Sequence, residues 1–305
     1  MRTTRTLRTT RIVRIAVAAA LAAGLLAAAG AAAGCKPKTA TPQQSVVAPE
    51  PAPEVTYPVT ITDDASRTVT VPAKPERVVS LAPANTEIVC ALGAIDRLVG
   101  VTTFCDYPPE VAEIAKVGDF AQPNVEAIAA ADPDVVFATS GVQADVVSKL
   151  EEAGAVVVVV DPQSLEGLYR SVVDVAVVLG DAGAGEELIA GMQSDLAALR
   201  AKLGAAEPVP CFIEIAQDPL FTVGTGTLMD ELITAAGGRN VVTQPGYVGY
   251  SVEQLLKDDP AVYLATKGSM SDPADVAKRA GYSQLAAVKA GRVVTLDDNL
   301  VSRPG

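Results

Sequence analysis

The chain has 305 residues, with 24 Lys and Arg against 36 Asp and Glu, a formal net charge of −12. Such an acidic surface repels nucleic acid and anionic headgroups, which argues against nucleic-acid recognition. The sequence contains no histidine. A His ligand to zinc, haem iron or cobalt is therefore excluded, together with any Ser-His-Asp or Cys-His catalytic arrangement.

The first residues set the compartment. Arg2, Arg5, Arg8, Arg11 and Arg14 form a positive segment, and Ile15 to Ala29 form an apolar core of signal-peptide length, short for a membrane span. Ala32-Ala33-Gly34 lead directly into Cys35, a pattern that resembles a bacterial lipoprotein signal. It predicts removal of residues 1–34 and acylation of Cys35, so the rest of the chain is exported and tethered to a membrane. Without the five signal arginines the balance is 19 basic against 36 acidic residues, a formal charge of −17. Residues 35–54 are rich in Pro, Ala, Thr and Gln and read as a flexible tether.

Residues 55–76 alternate apolar and polar positions around Asp63-Asp64-Ala65-Ser66, which predicts a hairpin leading into a first lobe, residues 77–164. Val78 to Leu81 read as a buried strand. Asn85 or Thr86 is expected to cap a helix ending near Gly93, and Leu98 to Val101 form the next strand. Val135 to Ala138 and Val156 to Val160 complete a β-α-β-α pattern that favours a mainly parallel sheet. Residues 165–206 are nearly all helix formers, interrupted around Gly180 to Gly185. From Glu186 to Leu203, apolar residues at 188, 189, 192, 196, 199 and 203 keep a helical period and predict a long interlobe helix. A second lobe, residues 207–305, is expected to hold strands near 210–215, 240–242, 262–265 and 292–296, with Gly237-Gly238 closing a helix.

The two lobes repeat a phrase. Asn124-Val125-Glu126 through Asp132-Pro133 to Thr139 returns 127 positions later as Ser251-Val252-Glu253 through Asp259-Pro260 to Thr266. In both copies Asn or Ser suits a helix N-cap, Glu sits where the helix dipole favours it, and Asp-Pro stops the helix before a β-branched run. Glu152-Ala153-Gly154 before Asp161 is echoed by Lys289-Ala290-Gly291 before Asp297. Helix–Asp-Pro–strand is common α/β grammar, but the identical spacing points to two similar units. The predicted fold is α/β: two Rossmann-like lobes with mainly parallel sheets, joined by a single long helix, with a ligand cleft between them. One interlobe helix would permit small tilts rather than wide closure. Cys90, Cys105 and Cys211 match no zinc spacing; one disulfide with a free thiol and three buried thiols are both compatible with them.

Val79-Ser80-Leu81-Ala82-Pro83-Ala84-Asn85-Thr86-Glu87, then Val99 to Pro109 with its Thr103-Phe104-Cys105-Asp106-Tyr107-Pro108 run, resemble the cobalamin-binding proteins of bacterial vitamin B12 ABC importers. Val117-Gly118-Asp119-Phe120 and Pro219 to Gly224 continue the match, which spans residues 77–304. Within the wider family of helix-linked receptors for corrinoids, haem and iron-siderophores, the resemblance implies a solute-binding protein without catalytic residues, whose cargo is a corrinoid. It implies that Phe104, Tyr107, Phe120, Phe221, Tyr247 and Tyr250 face the macrocycle, with Thr139 where relatives carry a tryptophan. Asp297 and Asp298 would accept from the ligand's amide N–H groups, and Arg303 would donate to amide oxygens or phosphate. Glu126 and Glu253 would dock on arginines of a permease dimer that works with ATPase subunits. The same resemblance leads us to expect a closing C-terminal helix beyond Gly305. A thiolate of Cys105 beside Phe104 could reach a metal, although a lone buried cysteine is more often packing. Haem or a ferric siderophore is the alternative cargo; an exported α/β hydrolase is a remote one, since neither a G-x-S-x-G elbow nor a P-loop is present.

Overall fold

The computed structural model describes residues 54–268 and 270–303. The signal segment, Cys35 and the tether up to residue 53 lie outside the described residues, as do Ser269, Pro304 and Gly305.

Strands β1 (Val59–Thr62) and β2 (Thr68–Val71) form the expected antiparallel hairpin. Its turn is pinned by Asp63, which is buried and accepts from the backbone N–H groups of Ala65, Arg67 and Val159 and from the Arg67 guanidinium. The hairpin is thus tied to the edge of the first lobe rather than hanging from it.

The first lobe runs β3 (Val78–Ser80), α1 (Pro83–Ala91), β4 (Leu98–Val101), α2 (Val125–Ala130), β5 (Val135–Ala138), α3 (Ala144–Glu152) and β6 (Val157–Val159). The strands pair in parallel in the order β4-β3-β5-β6. Alternation along each strand explains why they are apolar throughout. Val78, Val135, Phe137 and Val158 face one core, and Val79, Val136, Ala138, Val157 and Val159 face another on the opposite side. Each fully buried large side chain, such as Phe137, contributes roughly 2–3 kcal/mol by removal from water. Asn85 and Thr86 do not cap α1, which begins at Pro83 after an extended Ala82. Both lie buried in its first turn: Asn85 donates to the carbonyl of Ala138, and Thr86 bonds Ser80 and the Ala82 carbonyl.

Two helices follow, α4 (Leu165–Leu179) and α5 (Ala182–Leu203). Gly180, with φ +78°, ends the first, and Asp181 caps the second by accepting from Ala184 N–H. The connecting helix therefore starts four residues earlier than its apolar period suggests. Its early glycines have a packing role, since a Cβ on Gly185 would lie 2.6 Å from that of Ala176 on α4. Leu188, Ile189 and Met192 of α5 rest on the first lobe's core, and Leu203 lies against Gly237 of the second lobe.

The second lobe contains β7 (Val209–Gln217), β8 (Leu220–Val223), α6 (Leu228–Ala235), β9 (Gly238–Asn240), β10 (Tyr247–Gly249), α7 (Val252–Asp258), β11 (Val262–Lys267), α8 (Ala286–Lys289), β12 (Val293–Asp297) and α9 (Asp298–Val301). The sheet order is β10-β8-β7-β11-β12, with β9 beside the first half of β7. β7, β9, β11 and β12 are mutually parallel, whereas β8 pairs antiparallel with both β7 and β10; β8 and β10 had no counterpart among the expected strands. β8 follows β7 after only Asp218-Pro219, too short a link for a parallel crossover, so a hairpin is the available solution.

The repeated phrase is a repeated structure. Asn124 and Ser251 accept from the N–H groups of Ala127 and Gln254 as N-caps of α2 and α7. β5 and β11, which follow, are interior strands of their sheets, and β6 and β12 flank them after left-handed Gly154 and Gly291.

Candidate ligand-binding cleft

In open α/β sheets, ligands gather at the carboxyl ends of parallel strands. Here the segment carrying Phe104 follows β4, Thr139 follows β5, Asp161 follows β6, Met270 and Ser271 follow β11, and Asp298 follows β12. The two sets of ends face each other. Arg303, just past α9, bonds Asp106 of the first lobe at 2.6 Å, and Asp161 lies near enough to Tyr247 to raise its phenol. Glu231 of α6 accepts from the N–H of Leu165 at 2.7 Å, clasping the lobes at a further point.

The first wall is built on a buried cysteine. Cys105 lies beneath loop 102–108, with its sulfur 3.2 Å from the hydroxyls of both Thr86 and Thr102, and its carbonyl accepts from Lys116. That staple turns the neighbours outward, leaving Phe104 and Tyr107 each 56% exposed. Phe120, half-buried, sits on a tight excursion made possible by Gly118, whose φ is +110° and whose Cβ would meet the Asn124 backbone at 2.7 Å. Gln143, fully buried, donates to the carbonyls of Leu81 and Phe120 and accepts from Thr139 N–H. It locks Phe120 and Thr139 to the end of β3. Nothing in the sequence singled it out, since one glutamine at the head of a helix looks like surface.

The second wall encloses a cavity of about 610 Å³ lined by residues that include Gln217, Asp218, Phe221, Met270, Ser271 and Asp272. Behind Ser271 lies Glu214, fully buried in β7, which accepts from Tyr263, Ser271 and Arg279. Arg279 also donates to Gln217 and to the carbonyl of Asp272, so one buried ion pair holds both sides of the cavity wall. A carboxylate alone in the apolar run 211–216 was the signal for this network. Tyr247 is half exposed on β10; desolvation of its hydroxyl, then Asp161, pushes its phenol above the ordinary value. Its strand closes against β8 because Gly224 has no side chain: a Cβ there would meet the Gln244 carbonyl oxygen at 1.6 Å.

Not every expected ligand contact lies in this space. Tyr250 packs into the lobe core with its ring 5.5 Å from Phe212 and its hydroxyl on Asp258, because it follows β10 on the face that covers α7. Asp297 is exposed but caps α9 by accepting from Asn299 N–H, and Asp298 accepts from the Ser302 hydroxyl. Arg303 is already engaged, by Asp106 and by Glu87 at 3.4 Å. Cys90, Cys105 and Cys211 are all free thiols, and burial pushes Cys90 up to about 12. Glu126 and Glu253 are exposed in the first turns of α2 and α7, equivalent positions of the two repeats.

Two α/β lobes joined by a helix, with aromatic loops facing each other and an exposed carboxylate on each lobe, define a two-lobed extracytoplasmic solute-binding protein. The periplasmic binding protein family model matches residues 78–300, and the chain belongs to that family. It is 37% identical over 262 residues to the uncharacterized ABC transporter substrate-binding lipoprotein YvrC of Bacillus subtilis (strain 168), covering 82% of this chain and 81% of that protein. A vitamin B12-binding protein of Vibrio parahaemolyticus is 31% identical, over 75% of this chain and 84% of its own length. Among solved structures, the periplasmic vitamin B12 binding protein BtuF of Vibrio cholerae superposes with a TM-score of 0.67 at 26% identity, covering 76% of this chain and 91% of that one. A periplasmic heme binding protein from Pseudomonas aeruginosa superposes at 0.68 with 28% identity, covering 74% and 86%. The protein is thus a transport component, the substrate-binding partner of an ABC permease and its ATPase, and not an enzyme. No helix among the described residues is long and apolar enough to cross a membrane.

Proposed function

We propose that the protein is a lipid-anchored receptor, held at the membrane through Cys35, that captures a corrinoid and delivers it to an ABC permease dimer. The observation that carries the cargo is the pair of aromatic walls, Phe104, Tyr107 and Phe120 on one lobe and Phe221 and Tyr247 on the other. Stiff, flat side chains on two sides suit a macrocycle with apolar faces. Acceptors nearby, Asp297 on one rim and Asp218 and Asp272 in the cavity, suit the amide N–H groups around a corrin. Similarity to vitamin B12-binding proteins of Vibrio supports the same reading. Glu126 and Glu253 would orient the two lobes on a roughly two-fold permease, because matched charges steer association more than they tighten it.

The receptor role with haem as cargo is the second reading, favoured by likeness to a heme-binding protein at almost the same TM-score. With no histidine available, a tyrosine such as Tyr107 or Tyr247 could hold the iron. An anionic siderophore fits less well, since Arg303 is already paired with two carboxylates.

Calorimetric titration of the purified protein with cyanocobalamin, cobinamide, haemin and a ferric siderophore tests this. One-to-one corrinoid binding is expected, with cobinamide showing whether the nucleotide loop is read. Haemin or siderophore binding without corrinoid binding would overturn the cargo and leave the receptor role standing.

A further inference from the structure

We propose that Arg303 is a positioning residue: a strap from the C-terminal lobe that fixes the aromatic loop 102–108 of the N-terminal lobe across the cleft. The proposal rests on the reading above only in taking that loop as a ligand-facing wall.

One guanidinium nitrogen of Arg303 lies 2.6 Å from Asp106 and 3.4 Å from Glu87, and its side chain is 14% exposed. An arginine reserved for a ligand would present its fork to the cleft; this one is enclosed by two carboxylates of the opposite lobe. The two anchors differ in kind. Glu87 belongs to the rigid α1 and is 17% exposed, whereas Asp106 sits in the loop between Phe104 and Tyr107 and is 61% exposed. Arg303 therefore ties a loop to a helix as well as one lobe to the other. Its own backbone is held too. Asp297 caps α9, and the Ser302 hydroxyl donates to Asp298 at 2.6 Å. The result is a continuous connection from Asp298 through Ser302 and Arg303 to Asp106. Burial pushes the Glu87 carboxyl up, and Arg303 draws it part of the way back. Without the guanidinium, Glu87 and Asp106 would repel one another and the loop would lose its one interlobe ionic anchor among the described residues.

Hydrogen exchange of the ligand-free, full-length protein tests this without knowledge of the cargo. The readout is the backbone of loop 102–108, where Thr103 N–H bonds the Gly118 carbonyl and Cys105 N–H bonds that of Thr102. Exchange about five-fold faster is expected in Arg303→Met and in Asp106→Asn, from the loss of an ion pair of ordinary strength. The exchanged pair, Asp106→Arg with Arg303→Asp, should recover part of the protection. Peptides of α3 serve as the internal reference and keep their wild-type exchange. Should Arg303→Met unfold, Asp106→Asn decides the matter, because Asp106 is largely exposed. Wild-type exchange of the loop in Asp106→Asn would overturn the strap. Failure of the wild type to bind any corrinoid would overturn the cargo alone, and the exchange result would stand apart from it.

Discussion

Asp132 and Asp259, 127 positions apart, take up the same left-handed backbone, with φ +46° and +38°, between a capped helix and an interior strand. The shared strain marks the two repeats as one local structure used twice, and the two positions still differ in a measurable way. Asp132→Gly is expected to stabilise the protein by about 0.5 kcal/mol by relieving the left-handed strain. Asp259→Gly should not, because Asp259 accepts from Ala286 N–H at 2.6 Å and that bond would be lost. Chemical denaturation of the two variants measures the contrast.

Gly224→Ala has no room to be accommodated. With the Gln244 oxygen 1.6 Å from the added carbon, β10 must separate from β8. A loss of more than about 3 kcal/mol is expected, seen as a large fall in Tm, together with displacement of Tyr247.

Phe104→Ala should leave Tm nearly unchanged, since the side chain is 56% exposed. Corrinoid affinity should fall about ten-fold, the scale of one aromatic contact with a flat ligand. Calorimetry and thermal denaturation of the same sample separate the two effects.

Glu126→Ala and Glu253→Ala should each weaken docking to the cognate permease in proteoliposomes by about three- to ten-fold, with the two losses multiplying in the double variant. Ligand affinity should not move, because both carboxylates lie in exposed first turns of helices. A changed ligand affinity would place these residues in the cleft instead.

Asp174 on α4 predicts a pH dependence. Burial, then repulsion from Asp64, raises its carboxyl from 3.8 to about 6. Between those values the folded protein binds more protons than the unfolded chain. Stability from this group therefore falls as pH rises through the window and stays reduced above it. Asp174→Asn should exceed wild type by about 1 kcal/mol at pH 7.5, a figure lowered for partial exposure, and match it below pH 4.

The repeats, the caps at Asn124 and Ser251, the hairpin and the eight parallel strands could be read from the sequence, because each has a local signature: an Asn or Ser cap, an Asp-Pro stop, a β-branched run. The starting point of α5 and the antiparallel pair β8 and β10 were not legible. Gly185 in a helix and Gly224 beside a strand look like breakers until the neighbour that each touches is known. The aromatic positions were half legible. Loop placement was visible, but whether a tyrosine turns inward, as Tyr250 does toward Phe212, depends on packing between distant segments. Gln143 and Arg303 gain their roles wholly from residues far away in the chain.

The α5 helix rests on the first lobe through Leu188, Ile189 and Met192 and on the second through Leu203. A helix seated at both ends is a spacer of set length, at 1.5 Å per residue. The gap it maintains works as a gauge. A gap of set width would sort molecules by thickness before any hydrogen bond is tested, and would leave the energy of capture for contacts rather than for closing two halves.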